Sequence, residues 1–247
     1  MQVLGIDIGG TGIKGAPVDT RTGKMLADRF RVATPDPATP DAVIEVLKQM
    51  CKQFSWKDSI GCTFPSVVKD GRVFTAVHLD PSWVGLDAEK ELSKKLKRKF
   101  HLLNDADAAA LAEARFGAGK DLDGLLLMVT LGTGLGTGIV YKGTLIPNAE
   151  LGHVMIRGKD AEMRASNSAR EKNDWSWKKY GKRVNEYVNV VAAYVNPDRI
   201  VIGGGVIKEA EKFLYRVKAP VPVVAATLGN EAGIIGAAIA SAERVEV

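Results

Sequence analysis

The sequence predicts an α/β fold made of two lobes of similar build. An apolar strand at residues 3–8 ends in a glycine-rich turn and is followed by a returning strand at residues 13–18. The same order recurs between residues 124 and 141, and helical segments separate these hairpins from further strands. We expect residues 1–104 and 233–247 to form the first lobe and residues 105–232 to form the second.

The first lobe begins as a β-meander and continues with two helices. We expect its strands at residues 3–8, 13–18, 25–33, 59–63, 72–76 and 101–103. A proline-rich loop at residues 34–40 precedes an amphipathic helix at 41–54, and a heavily charged helix follows at 88–99.

The second lobe opens with an alanine-rich helix, Asp105 to Phe116, for which Asn104 or Asp105 is a good cap. Strands are expected at residues 124–131 and 138–141, joined by a glycine-rich turn at 132–136. A long helix at 176–195 leads to a strand at 199–202, which runs into three glycines. A helix of small residues at 233–242 returns to the first lobe.

The composition excludes several classes of protein. The 247 residues are 46% hydrophobic and 26% charged, a globular balance, and the net charge of +5 favours anionic partners. The chain has two cysteines and three histidines, and the cysteines do not form a CxxC motif. Neither a zinc site nor a disulfide framework is therefore indicated. The N-terminus does not resemble a secretory signal, and no apolar run approaches the ~20 residues that span a bilayer. We expect a soluble, cytoplasmic protein.

The first candidate site is the glycine-rich turn that follows Asp7. Its glycine spacing matches a dinucleotide-binding loop, but such a loop requires a helix directly afterwards. Pro17 and the turn at Gly23 favour a returning strand instead, and thus a hairpin whose backbone amides approach a phosphate. Thr11 supplies a hydroxyl, Lys14 a cation, and Asp7 a carboxylate suited to hold Mg²⁺ through water. A plain glycine-rich hairpin with a buried capping aspartate is the alternative.

Two further segments carry groups suited to phosphoryl chemistry. The turn within residues 130–138 repeats the glycine pattern, and two such turns facing one another would hold a phosphate chain from both sides. Asn104 and Asp105 stand between a short strand and a helix. A carboxylate fixed there can accept the proton of an attacking hydroxyl, a contribution of about 10²–10⁴-fold in rate. Simple capping of the helix is the alternative for this pair.

Glu150 and His153 form a third candidate site. One Glu and one His are too few ligands for a metal site. They suit hydrogen bonds to neighbouring sugar hydroxyls, because Glu accepts and neutral His either accepts or donates. A surface turn without function is the alternative.

In their order along the chain, these motifs resemble the ROK family of sugar kinases. The segments that carry the resemblance are DIGGTGIKG, LNDADAAALAE, TLGTGLGTGI, PNAELGH and IGGGV. TPDPATP, HLDPSWVG, GKDAEMRAS and NDWSWKKYGKR resemble the polyphosphate-glucokinase branch of that family. The resemblance covers nearly the whole chain. It implies the two-lobed actin-like ATPase (ribonuclease H-like) fold, a homodimer, and transfer of a phosphoryl group from polyphosphate or ATP to the 6-hydroxyl of glucose or mannose.

The resemblance also implies roles for individual residues. Asp105 would be the catalytic base, and the hexose ring would be bound by Asn104, Glu150, His153 and Glu162. The phosphate donor and its Mg²⁺ would lie at Asp7, Gly9, Gly10, Thr11 and Lys14, with Thr133 and Gly134 as the second phosphate clamp. Gly203 and Gly204 would lie near the adenine if ATP binds.

The chain departs from the family pattern at three places. The zinc-binding cysteine cluster that many ROK proteins carry after the Gly-His motif is absent, so we expect no zinc and a less firmly placed Glu162. Ser66 stands where the family usually has glycine, which leaves open a backbone contact to the sugar. His78 stands where asparagine is common, which leaves hexose specificity open.

The sequence leaves open which phosphate donor is used and whether the protein is a kinase, a regulator or a sugar-binding protein. Basic runs at residues 94–99 and 178–183 are candidate polyphosphate tracks, with solvated helix faces as the alternative. An ATP-only ROK hexokinase of another sugar remains open. ROK transcriptional regulators carry a DNA-binding region before the kinase-like part, and here the phosphate motif begins at residue 5, so we expect no nucleic-acid partner. A non-catalytic sugar-binding protein would be expected to lack Asp105.

Overall fold

The computed structural model describes residues 1–76 and 79–245, and the chain divides into two compact units. Unit 1 comprises Met1–Ala112 and Glu231–Val247, and unit 2 comprises Glu113–Asn230. The units therefore divide at 112/113 and 230/231, whereas the sequence placed the lobe boundaries at 104/105 and 232/233. His78, which bears on hexose specificity, lies outside the described residues.

The elements follow one another in two series. Unit 1 contains β1 (Gln2–Ile8), β2 (Ile13–Asp19), β3 (Lys24–Met25), β4 (Phe30–Val32), α1 (Pro40–Gln53), β5 (Ile60–Phe64), β6 (Val68–Lys69), β7 (Arg72–Val73), α2 (Ala88–Leu96) and β8 (Phe100–Asn104). Helix α3 (Asp105–Phe116) continues from unit 1 into unit 2. Unit 2 contains β9 (Leu125–Leu131), β10 (Leu135–Tyr141), β11 (Thr144–Ile146), β12 (Met155–Ile156), β13 (Lys159–Asp160), α4 (Glu162–Ala165), α5 (Asn167–Lys172), α6 (Trp177–Val195), β14 (Arg199–Gly203), α7 (Ala210–Phe213) and β15 (Val223–Ala225). The chain returns to unit 1 in α8 (Ala232–Val245).

The main sheet of unit 1 combines an antiparallel hairpin with parallel strands. Its order is β3-β2-β1-β5-β8, and β4 also pairs with β2. Strands β1, β5 and β8 run parallel, so their carboxyl ends lie at one edge of the sheet. The register places Asp7 beside Thr63 and Phe64 beside Asn104. The sheet therefore gathers polar residues of three strands at the edge where ligands bind in open α/β sheets.

Alternation along β1 gives this sheet two buried faces. Leu4, Ile6 and Ile8 belong to a core shared with α1 and α2, whereas Val3 packs with α8. This period of two is what a strand requires when both of its faces are covered. Trp83 closes the first core: it is fully buried, and its indole N–H donates to the carbonyl oxygen of Ala38 at 2.8 Å. The loop at residues 34–40 is thereby tied to the core.

Glycines allow α8 to lie very close to the sheet and to α3. A Cβ added at Gly5 would come within 2.0 Å of the carbonyl oxygen of Ile234, and one at Gly61 within 1.8 Å of that of Ala237. On the helix itself, a Cβ at Gly236 would meet the carbonyl oxygen of Ala108 at 1.9 Å. Backbone contacts of this kind leave no room for any side chain. The position of α8 therefore depends on these glycines.

Unit 2 repeats the plan of the unit 1 sheet. Its sheet order is β11-β10-β9-β14-β15, with an antiparallel β9–β10 hairpin and parallel pairing from β9 through β14 to β15. Helix α6 buries Tyr180, Tyr187 and Val191 in a core with Val129 and Ile202. Each unit thus has a hairpin followed by two parallel strands, which confirms the similar build expected from the two glycine-rich hairpins.

A buried carboxylate fixes the end of α3 within unit 2. Glu113 is fully buried, and its Oε1 accepts the backbone N–H groups of Thr227 at 2.9 Å and Leu228 at 2.7 Å. Its Oε2 accepts the N–H of Ala118 at 2.7 Å and the hydroxyl of Thr227 at 3.3 Å. A buried charge is tolerated only with such complete hydrogen bonding. Glu113 therefore fastens α3 to the segment that leads into α8.

Several predicted elements differ from the structure at their ends. Helix α3 has the predicted bounds, but α2 ends at Leu96, because Lys97 adopts a left-handed conformation with φ of 53°. The predicted strand at 25–33 is divided into β3 and β4, and β10 begins at Leu135 and not at Gly138. Both cysteines are free. In the part of the chain that the structure describes, no helix is both long and apolar enough to cross a membrane.

We predict that Gly61→Ala destabilises the fold. The added methyl group collides with the backbone of α8, so we expect a loss of about 3 kcal/mol and a fall of the thermal unfolding midpoint by roughly 6–12 °C. Gly205→Ala is the matched control, because a Cβ at that position meets nothing within 4 Å. Scanning calorimetry of both variants checks this. Equal midpoints for the Gly61 variant and the unmodified protein would contradict the close packing of α8.

Candidate active site

The turn between β1 and β2 is held by hydrogen bonds from side chains outside the hairpin. Within the turn, the N–H of Gly9 donates to the carbonyl oxygen of Gly12 at 3.1 Å. The hydroxyl of Thr34 donates to the carbonyl oxygen of Gly9 at 2.5 Å, and Arg31 donates to that of Thr11 at 3.0 Å. These bonds engage three carbonyl groups and the N–H of Gly9, and they leave the exposed tip, which includes Gly10 and Thr11, for a ligand.

Glycine at position 12 lets the Arg31 guanidinium lie against the hairpin. A Cβ there would come within 2.6 Å of Nε and Nη2 of Arg31. The guanidinium is a permanent positive charge with several donors. The turn thus combines backbone amides with a cation, a combination that favours phosphate.

Asp7 is the second-last residue of β1, and its side chain has two partners. Its Oδ1 accepts the hydroxyl of Thr63 at 2.7 Å, and its Oδ2 lies 3.4 Å from Nζ of Lys14. Gly233 of α8 lies against the carboxylate, since a Cβ there would be 3.2 Å from its Cγ. Mg²⁺ in phosphate-transfer sites typically uses one or two carboxylates, keeps several waters and binds the substrate phosphates. One carboxylate beside a hydroxyl fits that donor set through water.

Asn104 and Asp105 stand at the junction of β8 and α3 and differ in burial. Asn104 is buried, and its Oδ1 accepts the N–H groups of Ala106 at 2.8 Å and Asp107 at 3.2 Å, so Asn104 is a cap of the helix. Asp105 is the first residue of α3, and its side chain is exposed. Its Oδ1 also accepts the N–H of Ala106, at 2.8 Å. The sequence left open which residue caps. In the structure both side chains accept the N–H of Ala106, but Asn104 is buried and accepts a second helix N–H, whereas Asp105 is exposed.

The serine that replaces the family's glycine has a structural task. The Ser66 hydroxyl contacts the carbonyl oxygen of Thr75 and lies 2.9 Å from the Thr75 hydroxyl. The carbonyl oxygen of Ser66 accepts the side-chain amide of Asn104 at 3.2 Å. Ser66 therefore links the end of β5, the segment before residue 77 and the end of β8. Its backbone carbonyl is engaged by Asn104, and its side chain is engaged by Thr75.

In unit 2, Asp160 organises an acidic cluster around His153. Nδ1 of His153 lies 2.9 Å from Oδ2 of Asp160, and Oδ1 of Asp160 accepts the N–H of Glu162 at 2.8 Å. The hydrogen bond to Asp160 raises the pKa of His153, and the charges of Asp160, Glu162 and Glu150 raise it further against the lowering caused by partial burial. The imidazole is half-exposed, so Nε2 remains available as a donor or acceptor for a ligand.

Glu162 also fixes the second glycine-rich turn. Its Oε2 accepts the N–H of Leu135 at 3.0 Å and would meet a Cβ at Gly134 at 2.6 Å. The carbonyl oxygen of Gly132 accepts the N–H groups of Asn167 at 3.1 Å and Ser168 at 3.3 Å. The turn is thus held from both sides, and Thr133 at its tip is exposed.

The segment that carries Glu150 and His153 is fixed to β10. The buried hydroxyl of Thr137 donates to the carbonyl oxygen of Ala149 and accepts the N–H of Leu151 at 3.0 Å. A Cβ at Gly152 would lie 1.7 Å from the carbonyl oxygen of Leu135, so only glycine fits there. The side chains of Glu150 and His153 therefore project from a segment whose backbone is anchored.

Gly203 and Gly204 lie at the carboxyl end of β14, beside β9. A Cβ at Gly203 would meet Cε of Met128 at 2.4 Å, and one at Gly204 would meet the backbone of Leu131 at 2.4 Å. Gly204 has a φ of 84°, which few other residues adopt. Neither position has room for a side chain; Gly203 is buried, and Gly204 exposes bare backbone next to the end of β9.

The candidate residues form one group in each unit. Unit 1 brings together Asp7 and Lys14, with the turn at Gly9–Thr11, and carries Asn104 and Asp105 at the same edge of its sheet. Unit 2 brings together Glu150, His153 and Glu162 with the turn at Thr133–Gly134, and carries Gly203 and Gly204 on the neighbouring strand.

Sequence reasoning missed four supporting residues. Thr63 and Asp160 contact candidate side chains directly, and Arg31 and Thr34 hold the first turn. Asp160 lies within GKDAEMRAS, where only Glu162 was singled out, and an Asp two residues before that Glu was the available signal. Thr63 depends on strand pairing that periodicity does not reveal. Within residues 1–76 and 79–245, no cluster of three or more His, Cys, Asp or Glu suited to a metal ion is found.

Comparison with known proteins gives consistent matches over most of the chain. The family model described as the ROK family matches residues 3–170. A polyphosphate glucokinase of Mycobacterium tuberculosis is 45% identical over 239 residues, which cover 96% of this chain and 90% of that protein.

Two crystal structures extend the likeness to the fold. The inorganic polyphosphate/ATP-glucomannokinase of Arthrobacter sp. strain KM has a TM-score of 0.93 and 44% identity, covering 98% of this chain and 99% of that one. A ROK family glucokinase of Streptomyces griseus, in complex with glucose and AMPPNP, has a TM-score of 0.84 and 25% identity, covering 98% and 100%. These likenesses confirm the predicted actin-like α/β fold.

We predict that Asp160→Asn lowers the pKa of His153 towards the ordinary value of about 6.5, because the hydrogen-bonded carboxylate is lost. In the unmodified protein the raised pKa means that the charged pair stabilises the fold fully below the unfolded-state pKa, and that this stabilisation is lost as the pH rises through the folded-state pKa. NMR titration of the imidazole checks the shift. Asp123→Asn, at an exposed ion pair with Lys142, is the control. An unchanged His153 titration in the Asp160 variant would contradict the cluster.

Proposed function

This chain belongs to the ROK family, and from that premise we propose that it phosphorylates the 6-hydroxyl of glucose, with inorganic polyphosphate or ATP as the donor. The proposal is supported by 45% identity to a polyphosphate glucokinase over 96% of the chain. It extends to mannose, because a structure with a TM-score of 0.93 is a polyphosphate/ATP-glucomannokinase. The acceptor and donor classes both follow from these relatives.

The observation that carries the chemistry is the exposed carboxylate of Asp105 at the end of β8. A hexose hydroxyl is a weak nucleophile, and a carboxylate within hydrogen-bond reach removes its proton as the bond to phosphorus forms. Asn104 caps α3 and so fixes the backbone from which Asp105 projects. Parallel pairing sets this end of β8 at the sheet edge that also carries Thr63 and Asp7.

The hexose contacts in unit 2 follow from the donors and acceptors of the His153 cluster. The carboxylates of Glu150 and Glu162 accept hydrogen bonds from sugar hydroxyls. Since Nδ1 of His153 is engaged with Asp160, Nε2 is the atom that faces a hydroxyl, and the raised pKa favours the form in which it donates. In unit 1, Asn104 is proposed to bind the hexose through the second hydrogen of its amide, because the first is donated to Ser66.

The donor phosphates are assigned to the glycine-rich turns. Backbone amides at Gly10 and Thr11, with the ammonium of Lys14, neutralise charge as the phosphoryl group transfers. Gly9 shapes this phosphate-binding turn through its hydrogen bond to Gly12. Mg²⁺ would be held by the donor phosphates and, through water, by Asp7, and would supply further charge neutralisation. In unit 2, the turn at Thr133 and Gly134 is proposed to contact phosphate, and the exposed backbone of Gly204, next to Gly203, is proposed to contact an adenine when ATP is the donor.

The basic run at residues 178–183 is a further candidate for polyphosphate contact. Lys179 and Arg183 lie over the ring of Trp175, at 5.4 and 5.0 Å from its centroid. Arg170 and Lys212 lie over Trp177, at 4.2 and 5.6 Å. Stacking on aromatic rings holds these cations in place, which suits either a polyanion track or simple surface packing.

The proposal also includes a cytoplasmic location and a homodimeric state. Two free thiols suit a reducing cytoplasm. A homodimer rests on family membership alone, and size-exclusion chromatography with light scattering tests it.

We predict that Asp105→Asn lowers kcat by about 10²–10⁴-fold while glucose still binds, because the amide retains the shape of the carboxylate but does not accept a proton. Coupled assays of glucose 6-phosphate give kcat, and calorimetric titration gives the glucose Kd. Asp28→Asn, at an exposed position, is the control. A near-normal kcat in the Asp105 variant would show that Asp105 is not the catalytic base.

The donor and the acceptor are tested together. Purified protein is given glucose or mannose with Mg²⁺ and either ATP or nucleotide-free polyphosphate, and the hexose 6-phosphate formed is measured. We expect product from glucose with polyphosphate. Product with ATP alone would assign an ATP-only hexokinase, and no product from any combination would overturn the proposed function.

A further inference from the structure

Unit 1 contains a cationic cavity outside the candidate active site. A cavity of about 460 Å³ opens beside the end of α1, the loop before β5 and the end of α2. Its apolar lining comes from Cys51, Trp56 and Leu96, and its cations are Lys48, Lys52, Lys57, Lys95 and Arg98. Among its described lining residues there is no carboxylate.

A second cavity, of about 720 Å³, shares Arg98 with the first. It adds the cations Lys97, Lys99 and Arg244, and Glu89 is its one carboxylate among the described residues. Glu89 is already engaged: it accepts from Arg244 at 2.9 Å and the N–H of Leu102 at 3.2 Å, and lies 3.3 Å from Nδ1 of His101. The two cavities share Arg98 as a lining residue. We call their combined cations the basic groove: Lys48, Lys52, Lys57, Lys95, Lys97, Arg98, Lys99 and Arg244.

Much of the positive charge in the basic groove is not neutralised by the protein. Lys48 pairs with Glu45 at 2.8 Å, and Lys95 lies 3.8 Å from Asp41 and 3.9 Å from Glu91. In residues 1–76 and 79–245, no ion pair engages the remaining lysines of the groove or Arg98. Those residues are Lys52, Lys57, Lys97, Lys99 and Arg98. Like charges held this close together favour a bound anion.

Arg98 is fixed in the middle of the groove by the backbone. Its Nε donates to the carbonyl oxygen of Trp56 at 3.0 Å and its Nη1 to that of Leu96 at 2.9 Å. The helix α2 has already ended, and the left-handed Lys97 turns the chain, so residues 97–99 do not continue a helix face. The solvated helix face expected as an alternative for residues 94–99 therefore describes residues 94–96, which belong to α2, and not residues 97–99. A preorganised cation loses less entropy when an anion binds.

The groove lies at the opposite end of the strands from the candidate site. Lys99 precedes β8 and Asn104 ends it, a separation of roughly 16 Å along the strand at 3.3 Å per residue. Helix α8 gives the same result, because Gly233 contacts Asp7 near its start and Arg244 lines the groove near its end. A ligand in the groove is therefore separate from the phosphates at the glycine-rich turn.

We propose that the basic groove binds a segment of inorganic polyphosphate remote from the end that is transferred. The inference rests on the proposed function, in which polyphosphate is a donor. A linear polyanion can contact two neighbouring cationic cavities that share Arg98, whereas a compact anion contacts one of them. Nucleic acid is disfavoured, because single strands bind through exposed aromatic faces, whereas Trp56 and Phe100 are 9% and 5% exposed.

A second anchor has consequences for affinity. A chain long enough to occupy both the groove and the glycine-rich turn binds at two points, and the second contact becomes effectively intramolecular. Short chains and ATP reach the turn alone. Affinity should therefore rise with chain length and fall steeply with salt for long chains.

The test reverses charge at three exposed lysines of the groove, with the variant Lys52→Glu/Lys57→Glu/Lys99→Glu. The control carries the same charge change elsewhere, Lys24→Glu/Lys120→Glu/Lys142→Glu, also at exposed lysines. Calorimetric titration measures the Kd of long-chain polyphosphate at two salt concentrations, and kinetics give KM for long-chain polyphosphate, short-chain polyphosphate and ATP.

For the groove variant we expect the Kd and KM of long-chain polyphosphate to rise by about tenfold or more, and its binding to depend less on salt. The KM for ATP and for short-chain polyphosphate should stay within about twofold of the original, since these donors do not reach the groove. The control should bind long chains as the original protein does. Unchanged long-chain binding in the groove variant, or an equal loss in the control, would overturn the proposal.

Two further outcomes are decisive. If single-stranded RNA of matched charge displaces long-chain polyphosphate from the original protein with equal affinity, the groove is a nucleic-acid site and the proposal fails. If the protein binds polyphosphate through the groove but makes no hexose phosphate from any donor, the groove is supported and the proposed function fails. The two failures are thus distinguishable.

Discussion

Parallel pairing of β1, β5 and β8 is the constraint on which unit 1 depends. The register brings the ends of three strands to one edge, so that Asp7 lies beside Thr63 and the chain leaves β8 through Asn104 into α3. Both faces of this sheet are buried, one by α1 and α2 and the other by α8. A slip of one residue would exchange the two faces, so the same apolar alternation that builds the core also sets where the polar ends lie.

The close packing of α8 contributes both to the stability of unit 1 and to the position of the Asp7 carboxylate. Gly5 and Gly61 admit the helix backbone to the sheet, and Gly233 of the same helix lies against the Asp7 carboxylate. In unit 2 the corresponding task falls to polar side chains: Thr137 anchors the Glu150 segment, and Glu162 holds the turn at Gly134. Both arrangements fix a glycine-rich backbone before any ligand binds, which limits the entropy lost on binding.

Much of this architecture could be predicted from the sequence, because its signals are local. The alanine-rich pattern of α3 gave its bounds, and the glycines marked both hairpin tips. Errors arose where tertiary contacts override local preference. Gly136 was placed in the predicted turn, yet it belongs to β10, because pairing with β9 continues up to Leu131 and Leu135. Thr63 and Asp160 were missed because their importance lies in partners distant in sequence, and the basic groove combines residues from α1, α2 and α8.

The central claim is that the Asp105 carboxylate takes the proton from the 6-hydroxyl of a bound hexose. A crystal structure of this protein with glucose tests it most directly, through the distance between the carboxylate oxygens of Asp105 and O6. Hydrogen-bond contact, about 2.6–3.2 Å, is the result expected. Glucose bound with O6 out of reach of Asp105 and within reach of a different carboxylate would contradict the account.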